Sequence, residues 1–275
     1  MSIAFAKLHG AGNAYLAVDG RLQPPSFDAP SLARAMASHH TGVGSDGLVL
    51  VQTARDPEAA IRMRIFNSDG SEAEMSGNGV RLFAKFVLDR ALAERGEDGG
   101  LRIETQAGLR IVWPRFDEAG AMCAGRVAMG IPVIDGVETL ELPSGPLTVT
   151  MLSLGNPHAV HLTARPVAEF PLSVLGPEVQ RHPRFPNQVN FEVVNVLAPE
   201  RLRARVFERG EGETPSSGTG STACAVAARL AGRSGPEVEI ALPGGVLNVA
   251  WEGEGEEAWL DGPTVEIFRG SWPNS

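Results

Sequence analysis

The stretch Phe66–Arg81, FNSDGSEAEMSGNGVR, decides how this chain is expected to fold because it occurs a second time. The second copy, Phe207–Thr222, is FERGEGETPSSGTGST and lies 141 residues further along the chain. A Phe, a Glu, a Ser and two Gly residues coincide when the copies are aligned. Each copy follows a strand-like run and precedes a run of helical period, which predicts helices at Gly79–Ala93 and Thr219–Ala231. The pattern therefore predicts a strand, an acidic loop and a helix start, twice.

A Gly-rich turn that opens a helix exposes unbonded N–H groups and the positive end of the helix dipole. Such turns bind anions. Ser76 and Ser217 stand directly before the two G-x-G sequences. We predict that the two helix N-termini bind one small acidic ligand, with these serines at the reactive positions.

The duplication extends beyond this stretch, because Gly12-Asn13 recurs as Gly155-Asn156. We therefore predict a mixed α/β (α+β) fold of two similar lobes, each a mixed or antiparallel sheet around one central helix. Residues 1–115 are expected to form the N-terminal lobe, with 263–275 returning to it, and 116–262 the C-terminal lobe. Since small ligands bind in clefts between domains, the active site is expected between the lobes.

Composition narrows the function classes. The chain has 275 residues and a net charge of −9, which does not favour nucleic acid or an anionic membrane as partner. No apolar run approaches the ~20 residues that span a bilayer, and no secretory signal is visible. The two cysteines, Cys123 and Cys224, are far apart in sequence, so a disulfide framework is not expected. These features predict a cytoplasmic protein.

Several motifs in this order resemble the diaminopimelate epimerase family along nearly the whole chain. They are HGAGNAYLAVD, GVGSDGLVLV, RIFNSDGSEAEMSGNGVRLFAKF, LGNPHAV, FPNQVN and RVFERGEGETPSSGTGSTACA. The resemblance implies two pseudo-symmetric α/β lobes, each with a helix inside a curled sheet, and a homodimer. It also implies epimerisation of a small zwitterionic amino acid, diaminopimelate, in lysine and peptidoglycan biosynthesis. The family uses no metal and no pyridoxal phosphate, so no cofactor is expected.

The family inverts the α-carbon with two bases, both cysteines, and the matching positions here are Ser76 and Ser217. A thiol at a helix N-terminus ionises readily, whereas a serine hydroxyl becomes a useful base only when a neighbouring group takes its proton. His9 and His158 are the candidates for that role, and either could act as the base itself. Cys224 is expected to be core packing.

Three hypotheses on function stay open at this point. The first is an epimerase or racemase, including the case in which both cysteines were deliberately replaced by serine. The second is a lyase that eliminates water from a hydroxy amino acid, as related proline racemase-like proteins with Ser or Thr at such positions do. The third is a non-catalytic amino-acid-binding protein.

The resemblance also assigns substrate-binding residues. They are the amides Asn13, Asn67, Asn156 and Asn190, the pair Glu208 and Arg209 for the far ammonium and carboxylate, and the backbone donors Gly77, Asn78, Gly218 and Thr219. The alternatives are turn or cap roles for the amides, an ion pair for Glu208 and Arg209, and a backbone hydrogen bond for His158. Ala14, Tyr15 and Gly47 depart from the family pattern, so the substrate itself is left open.

Overall fold

A computed structural model describes residues 2–24 and 27–273. Contacts divide the chain into two compact units, Met1–Val127 with Gly262–Ser275, and Ala128–Asp261. Of the residues in the predicted N-terminal lobe, Met1, Asn274 and Ser275 lie outside the described residues, as do Pro25 and Ser26.

Strands predominate in both units. In chain order they are β1 (Ser2–Gly10), β2 (Asn13–Asp19), β3 (Gly47–Gln52), β4 (Ile61–Asn67), β5 (Glu72–Ala73), β6 (Leu101–Thr105), β7 (Gly108–Phe116), β8 (Met122–Gly130), β9 (Val133–Leu142), β10 (Gly145–Ser153), β11 (Pro157–Leu162), β12 (Asn190–Ala198), β13 (Arg201–Glu208), β14 (Gly212–Thr214), β15 (Glu237–Leu242), β16 (Gly245–Ala250), β17 (Ala258–Pro263) and β18 (Val265–Pro273). The helices are α1 (Ala29–Ala37), α2 (Gly77–Leu88), α3 (Leu172–Gln180) and α4 (Gly218–Leu230), with 3₁₀ turns at Gly20–Leu22 and Val167–Glu169. The mixed α/β class predicted from the sequence is confirmed.

The two units have the same strand order. In the first it is β18-β1-β2-β3-β4-β6-β7-β8, and β5 adds to β4 as a short hairpin. In the second it is β9-β10-β11-β12-β13-β15-β16-β17, with β14 added to β13. In each unit the third and fifth pairings of this order are parallel and the others antiparallel. The internal duplication predicted from the sequence is therefore present in the backbone pairing.

Both faces of the central strands are covered in the first unit. Leu48 and Leu50 of β3 pack with Leu32 and Met36 of α1 in one buried cluster. Because successive strand residues point to opposite faces, the other residues of β3 face α2, which is buried along nearly its whole length. A strand covered on both faces is continuously apolar, as Leu48–Val51 is.

The second unit repeats this arrangement. The helix α4 contacts β10–β13, β15 and β16, and Ala223–Ala228 are buried. The helix α3 contacts β9 and β12–β14, and its Leu172 and Val179 join a separate buried cluster. In each unit the helix that follows the repeated loop is thus the central one, and its N-terminus is fixed by the surrounding strands.

Two elements differ from the sequence prediction. The first long helix was expected at Gly79–Ala93 but ends at Leu88. The carboxylate of the next residue, Asp89, accepts from Lys85 Nζ and from the backbone N–H of Met122, which ties the chain to β8 there. The strand β9 was not predicted, because most of its side chains are exposed and the apolar signal is weak.

Candidate functional site

Ser76 and Ser217 are the N-cap residues of α2 and α4, and their backbone dihedral angles are nearly the same. Ser76 has φ −141° and ψ 123°, and Ser217 has φ −139° and ψ 128°. Ser76 Oγ accepts from the N–H of Gly79 at 3.0 Å, and Ser217 Oγ accepts from that of Gly220 at 3.2 Å. Each hydroxyl therefore keeps its own proton free to donate, next to the first N–H groups of a helix.

The acidic loops before the two serines are held by equivalent ion pairs. Arg64 donates from Nε and Nη2 to both carboxylate oxygens of Glu72, each at 2.7 Å. Arg205 makes the same bidentate contact, donating from Nε and Nη2 to the two carboxylate oxygens of Glu213 at 2.7 and 2.9 Å. Planar pairing of this kind fixes orientation as well as distance. The repeated Arg and Glu positions thus explain why both loops deliver a serine in the same geometry.

In the first unit, the amides at the start of α2 are linked to the loop between β1 and β2. Asn78 Nδ2 donates to Asn13 Oδ1 at 2.7 Å and to the Asn13 carbonyl at 3.0 Å. Asn13 Nδ2 donates in turn to Asp46 Oδ2 at 2.8 Å, and the N–H of Ala14 donates to the same oxygen at 2.7 Å. The structure brings Asn13 and Asn78 together, and Asp46 fixes which way the Asn13 amide points.

The charge buried at the start of α2 is a cation. Arg81 is fully buried and donates from Nη1 to the Gly77 carbonyl at 2.9 Å and from Nη2 to Asn78 Oδ1 at 3.0 Å. The corresponding residue of α4 is Thr222, whose hydroxyl donates to the Gly218 carbonyl at 2.9 Å. The two helices thus satisfy the same carbonyl, one with a guanidinium and the other with a neutral hydroxyl.

The start of α4 is instead surrounded by acids. Glu208 Oε1 accepts from the Thr214 hydroxyl at 2.5 Å. Burial raises the pKa of the Glu208 carboxyl, the hydrogen bond from Thr214 opposes the rise, and the charge of Glu192 adds to it. The neighbouring Ser217 hydroxyl lowers the same pKa slightly, so the predicted site residue Glu208 lies close to the predicted reactive Ser217.

Asn190 holds the backbone around Glu208 and Arg209. Its Oδ1 accepts from the N–H of Arg209 at 2.9 Å, and its Nδ2 donates to the Pro157 carbonyl at 3.1 Å. The Arg209 side chain is exposed. Asn190 thus positions the pair predicted to bind the far end of an amino acid, while Arg209 extends into solvent.

His158 bonds to two side chains, whereas the alternative considered from the sequence was a hydrogen bond to the backbone. Its Nδ1 lies 2.7 Å from Glu192 Oε1, and both side chains are 0% exposed. Its Nε2 lies 3.0 Å from Asn156 Oδ1, and Asn156 Nδ2 donates to Thr219 Oγ1 at 3.4 Å. Burial raises the pKa of the Glu192 carboxyl, and His158 opposes that rise. Three predicted site residues are therefore joined to one unpredicted acid.

Two predicted residues of the first unit are less connected to the Ser76 turn. Asn67, at the end of β4, donates from Nδ2 to Ser71 Oγ at 2.9 Å, which is a local turn contact. His9 lies in β1 opposite Ala14 and Val265. Their predicted roles in ligand binding and proton transfer stay predictions.

The sequence argument missed Asp46, Arg81 and Glu192. Glu192 had a usable signal, since it is a single charged residue inside the apolar run Val189–Val194. Arg81 also falls on the buried side of an apolar helix. Cys224 was expected in the core; it is fully buried, and burial raises the pKa of its thiol well above the ordinary value.

Among the residues that the structure describes, no helix is both long and apolar enough to cross a membrane. Within the same residues, no group of three or more His, Cys, Asp or Glu side chains is arranged to hold a metal ion.

Comparisons with known proteins agree along the chain. Residues 5–133 and 150–267 match the family model described as diaminopimelate epimerase. The diaminopimelate epimerase of Moorella thermoacetica is 42% identical to this chain and covers 98% of it, over 99% of its own length. That of Halorhodospira halophila is 40% identical, over 97% of this chain and 93% of its own length.

Solved structures resemble the fold at low identity. A hydroxyproline epimerase from Agrobacterium vitis, with bound trans-4-hydroxy-L-proline, has a TM-score of 0.73 at 18% identity, covering 98% of this chain and 92% of that one. A phenazine biosynthesis protein of the PhzF family from Bacillus anthracis has a TM-score of 0.72 at 18% identity, covering 99% of each chain. These likenesses concern the fold alone.

Proposed function

This chain belongs to the diaminopimelate epimerase family, and from that premise we propose that it is a cofactor-independent amino-acid epimerase acting on diaminopimelate. The observation that carries the proposal is the matched pair of N-cap serines, Ser76 and Ser217, at the two positions where the family has its bases. The unit-by-unit agreement of their hydrogen bonds supports equivalent roles.

The two helix starts suit the reacting end of an amino acid. The N–H groups of Gly77 and Asn78, and those of Gly218 and Thr219, belong to first turns that leave such donors without intrahelical acceptors. A substrate carboxylate accepts from these groups and gains from the helix dipoles. Negative charge that develops when the α-proton leaves is delocalised onto the same carboxylate, so these donors stabilise it most at that moment.

Proton transfer on the side of the second unit runs through Ser217 and Glu208. As Ser217 Oγ takes the α-proton, it gives its own proton to the Glu208 carboxylate. The raised pKa of Glu208 brings this group closer to neutral pH, where a general base works best. Ser76, at the other predicted base position, returns a proton to the α-carbon with inversion and is reprotonated from solvent. Arg81, the charged group at that helix start, cannot supply this proton, because an arginine guanidinium is not deprotonated in proteins.

Serine in place of cysteine is expected to make this reaction slow. The test is incubation with L,L-diaminopimelate in D₂O, with NMR detection of the α-hydrogen, for the parent chain and for the double variant Ser76→Cys with Ser217→Cys. The variant is expected to exchange the hydrogen faster by about 10²–10⁴-fold, the usual worth of a competent acid–base group. The matched control replaces both serines by Ala, which also removes the hydroxyls.

A double-Cys variant that folds and does not exchange the α-hydrogen of either stereoisomer would contradict epimerisation. Stabilisation of the parent chain by diaminopimelate in thermal unfolding, without exchange in the variant, would leave amino-acid binding as the function. Size-exclusion chromatography with light scattering tests the homodimer, and cell fractionation tests the cytoplasmic location; both stay predictions.

One observation favours a lyase as the second candidate: among the described residues, the Glu208 carboxyl lies close to Ser217, whereas the buried charged group at the start of α2 is the guanidinium of Arg81. One-sided chemistry needs a single base: the α-proton passes to Ser217, the β-hydroxyl leaves as water after protonation, and the resulting enamine hydrolyses to a keto acid and ammonium. Release of keto acid from L-serine or L-threonine by the parent chain, abolished in Glu208→Gln, would support it. A screen of hydroxy amino acids without keto acid would remove it.

A further inference from the structure

A fully buried acid and imidazole lie beside the start of α4, and the proton transfer described above does not use them. Glu192 of β12 and His158 of β11 stand on neighbouring parallel strands. Glu192 Oε1 and His158 Nδ1 are 2.7 Å apart, and neither side chain has exposed surface. Burying an ionisable pair costs free energy because both groups lose their hydration. The contacts that the pair makes therefore indicate which neighbouring groups it holds in place.

The direction of donation follows from the partners. Asn156 Oδ1 is an acceptor only, so His158 Nε2 at 3.0 Å carries a proton. Among the described residues, Glu192 Oε2 makes no hydrogen bond. A bare oxygen is far more costly on a buried carboxylate than on a neutral carboxyl. The arrangement is therefore satisfied when Glu192 is protonated and donates from Oε1 to His158 Nδ1.

The pair is linked to the helix start in two independent ways. The donor chain continues from Asn156 Nδ2 to Thr219 Oγ1, in the first turn of α4. In addition, a Cβ on Gly220 would come within 3.0 Å of Glu192 Oε1. The second glycine of the G-T-G sequence thus leaves room for this carboxyl against the helix.

We propose that Glu192 is a positioning residue, which holds His158 in the tautomer protonated at Nε2 and thereby orients the Asn156 amide and Thr219. With both ring nitrogens engaged, His158 orients its neighbours and does not serve as the base. The proposal deepens the proposed function, because Asn156 and Thr219 are its substrate-binding residues. Glu208 and Cys224 are the other titratable groups coupled to Glu192; a charge on Glu208 adds to the cost of a charge on Glu192, whereas burial keeps Cys224 a neutral thiol.

The tautomer is tested directly by long-range ¹H–¹⁵N NMR of the His158 ring between about pH 6 and 8, where a free imidazole titrates. The variants are Glu192→Gln, which still donates to Nδ1, and Glu192→Leu, which does not. We expect a protonated Nε2 and an unprotonated Nδ1 in the parent and in Glu192→Gln. Glu192→Leu is expected to lose this fixed state.

Calorimetric titration with diaminopimelate gives the second readout. Glu192→Leu loses the hydrogen bond that orients His158 and is expected to weaken binding about tenfold. Glu192→Gln keeps that hydrogen bond and is expected to weaken binding less than about threefold. The control is Asn195→Ala, a buried amide of the same strand that donates to the carbonyls of Thr163 and Arg165. It is expected to lower stability without changing the His158 signals or the Kd.

A doubly protonated His158 ring in the parent, which means an ionised Glu192, would overturn the proposal. So would Glu192→Leu with the parent's tautomer and Kd. Absence of diaminopimelate binding in every form, with the expected ring signals, would instead count against the proposed substrate and leave the positioning role in place.

Discussion

The starts of α2 and α4 share a backbone conformation but differ in the ionisable groups buried behind it. Both are capped by serine at nearly the same φ and ψ, and both follow a loop held by an Arg–Glu pair. One start contains the guanidinium of Arg81, whereas the other contains the carboxyls of Glu192 and Glu208. Because backbone N–H groups must be hydrogen-bonded in both copies, both helices have the same serine cap. The side chains next to the caps are not constrained in this way, so the two helix starts have different electrostatic surroundings.

The largest expected difference between the two starts comes from removing the donor to the first helical carbonyl. Arg81→Leu takes a charged donor from buried acceptors and is expected to cost about 2–4 kcal/mol of unfolding free energy. Thr222→Val removes one neutral hydrogen bond and is expected to cost about 1 kcal/mol. Urea unfolding followed by circular dichroism measures both. Equal losses would mean that the buried charge does not distinguish the two starts.

A smaller difference is expected between the loop arginines. Arg205 also donates from Nη1 to the carbonyls of Val167 and Phe170, at 2.7 and 2.9 Å. Arg205→Met is therefore expected to cost about 1–3 kcal/mol. Arg64→Met removes a partly exposed ion pair and should cost less than about 1 kcal/mol. Thermal unfolding of both variants provides the measurement, with Glu72→Gln and Glu213→Gln as controls for the ion pair alone. A larger loss for Arg64→Met would contradict the comparison.

The smallest expected effect is the pH dependence that the acids give to the second start. Because the folded-state pKa of Glu208 is raised, its protonated form is favoured on folding. The resulting stability is present below the unfolded pKa, at about pH 4, and is lost as pH rises through the folded pKa. Glu208→Gln is expected to match the parent at low pH and to exceed it at neutral pH by less than about 1 kcal/mol.

Chemical unfolding of parent and Glu208→Gln at a series of pH values checks this. A variant that is less stable than the parent at neutral pH would show that Glu208 is stabilised in its charged form. The conservative control is Glu72→Gln in the first unit, where a hydrogen bond from Arg64 lowers the pKa of the carboxyl. The pH dependence of stability that Glu72 contributes therefore has the opposite sign.

Much of the fold followed from pattern, because apolar periodicity and Gly-rich turns are local signals. The central helices were predicted within a few residues at their starts, since the serine caps and G-x-G turns mark a helix N-terminus in sequence. The predicted end of α2 was wrong, because the helix ends before Asp89, whose carboxylate accepts a hydrogen bond from the N–H of Met122, 33 residues away. The strand β9 was missed because its exposed side chains give little apolar signal.

For the candidate site, the sequence identified side chains that lie beside the repeated turns. Ser76 and Ser217 follow directly from the repeat, whereas Asn78, as a backbone donor, and Glu208 were assigned from the family resemblance. The partners Asp46 and Glu192 lie outside the repeated stretch, so their place beside Asn13 and His158 depends on which strands pair. A charged residue in an apolar strand is a signal that a search for buried charge would have found.

The sequence by itself determined the duplication, the family and the two capped helix starts, because these depend on residue types at fixed local spacing. Only the tertiary structure decided which ionisable groups lie behind each start, because Glu192 reaches His158 across neighbouring parallel strands. Strand pairing brings together residues that are far apart in the chain, and burial then changes their protonation. Neither effect is encoded in the spacing of the motif.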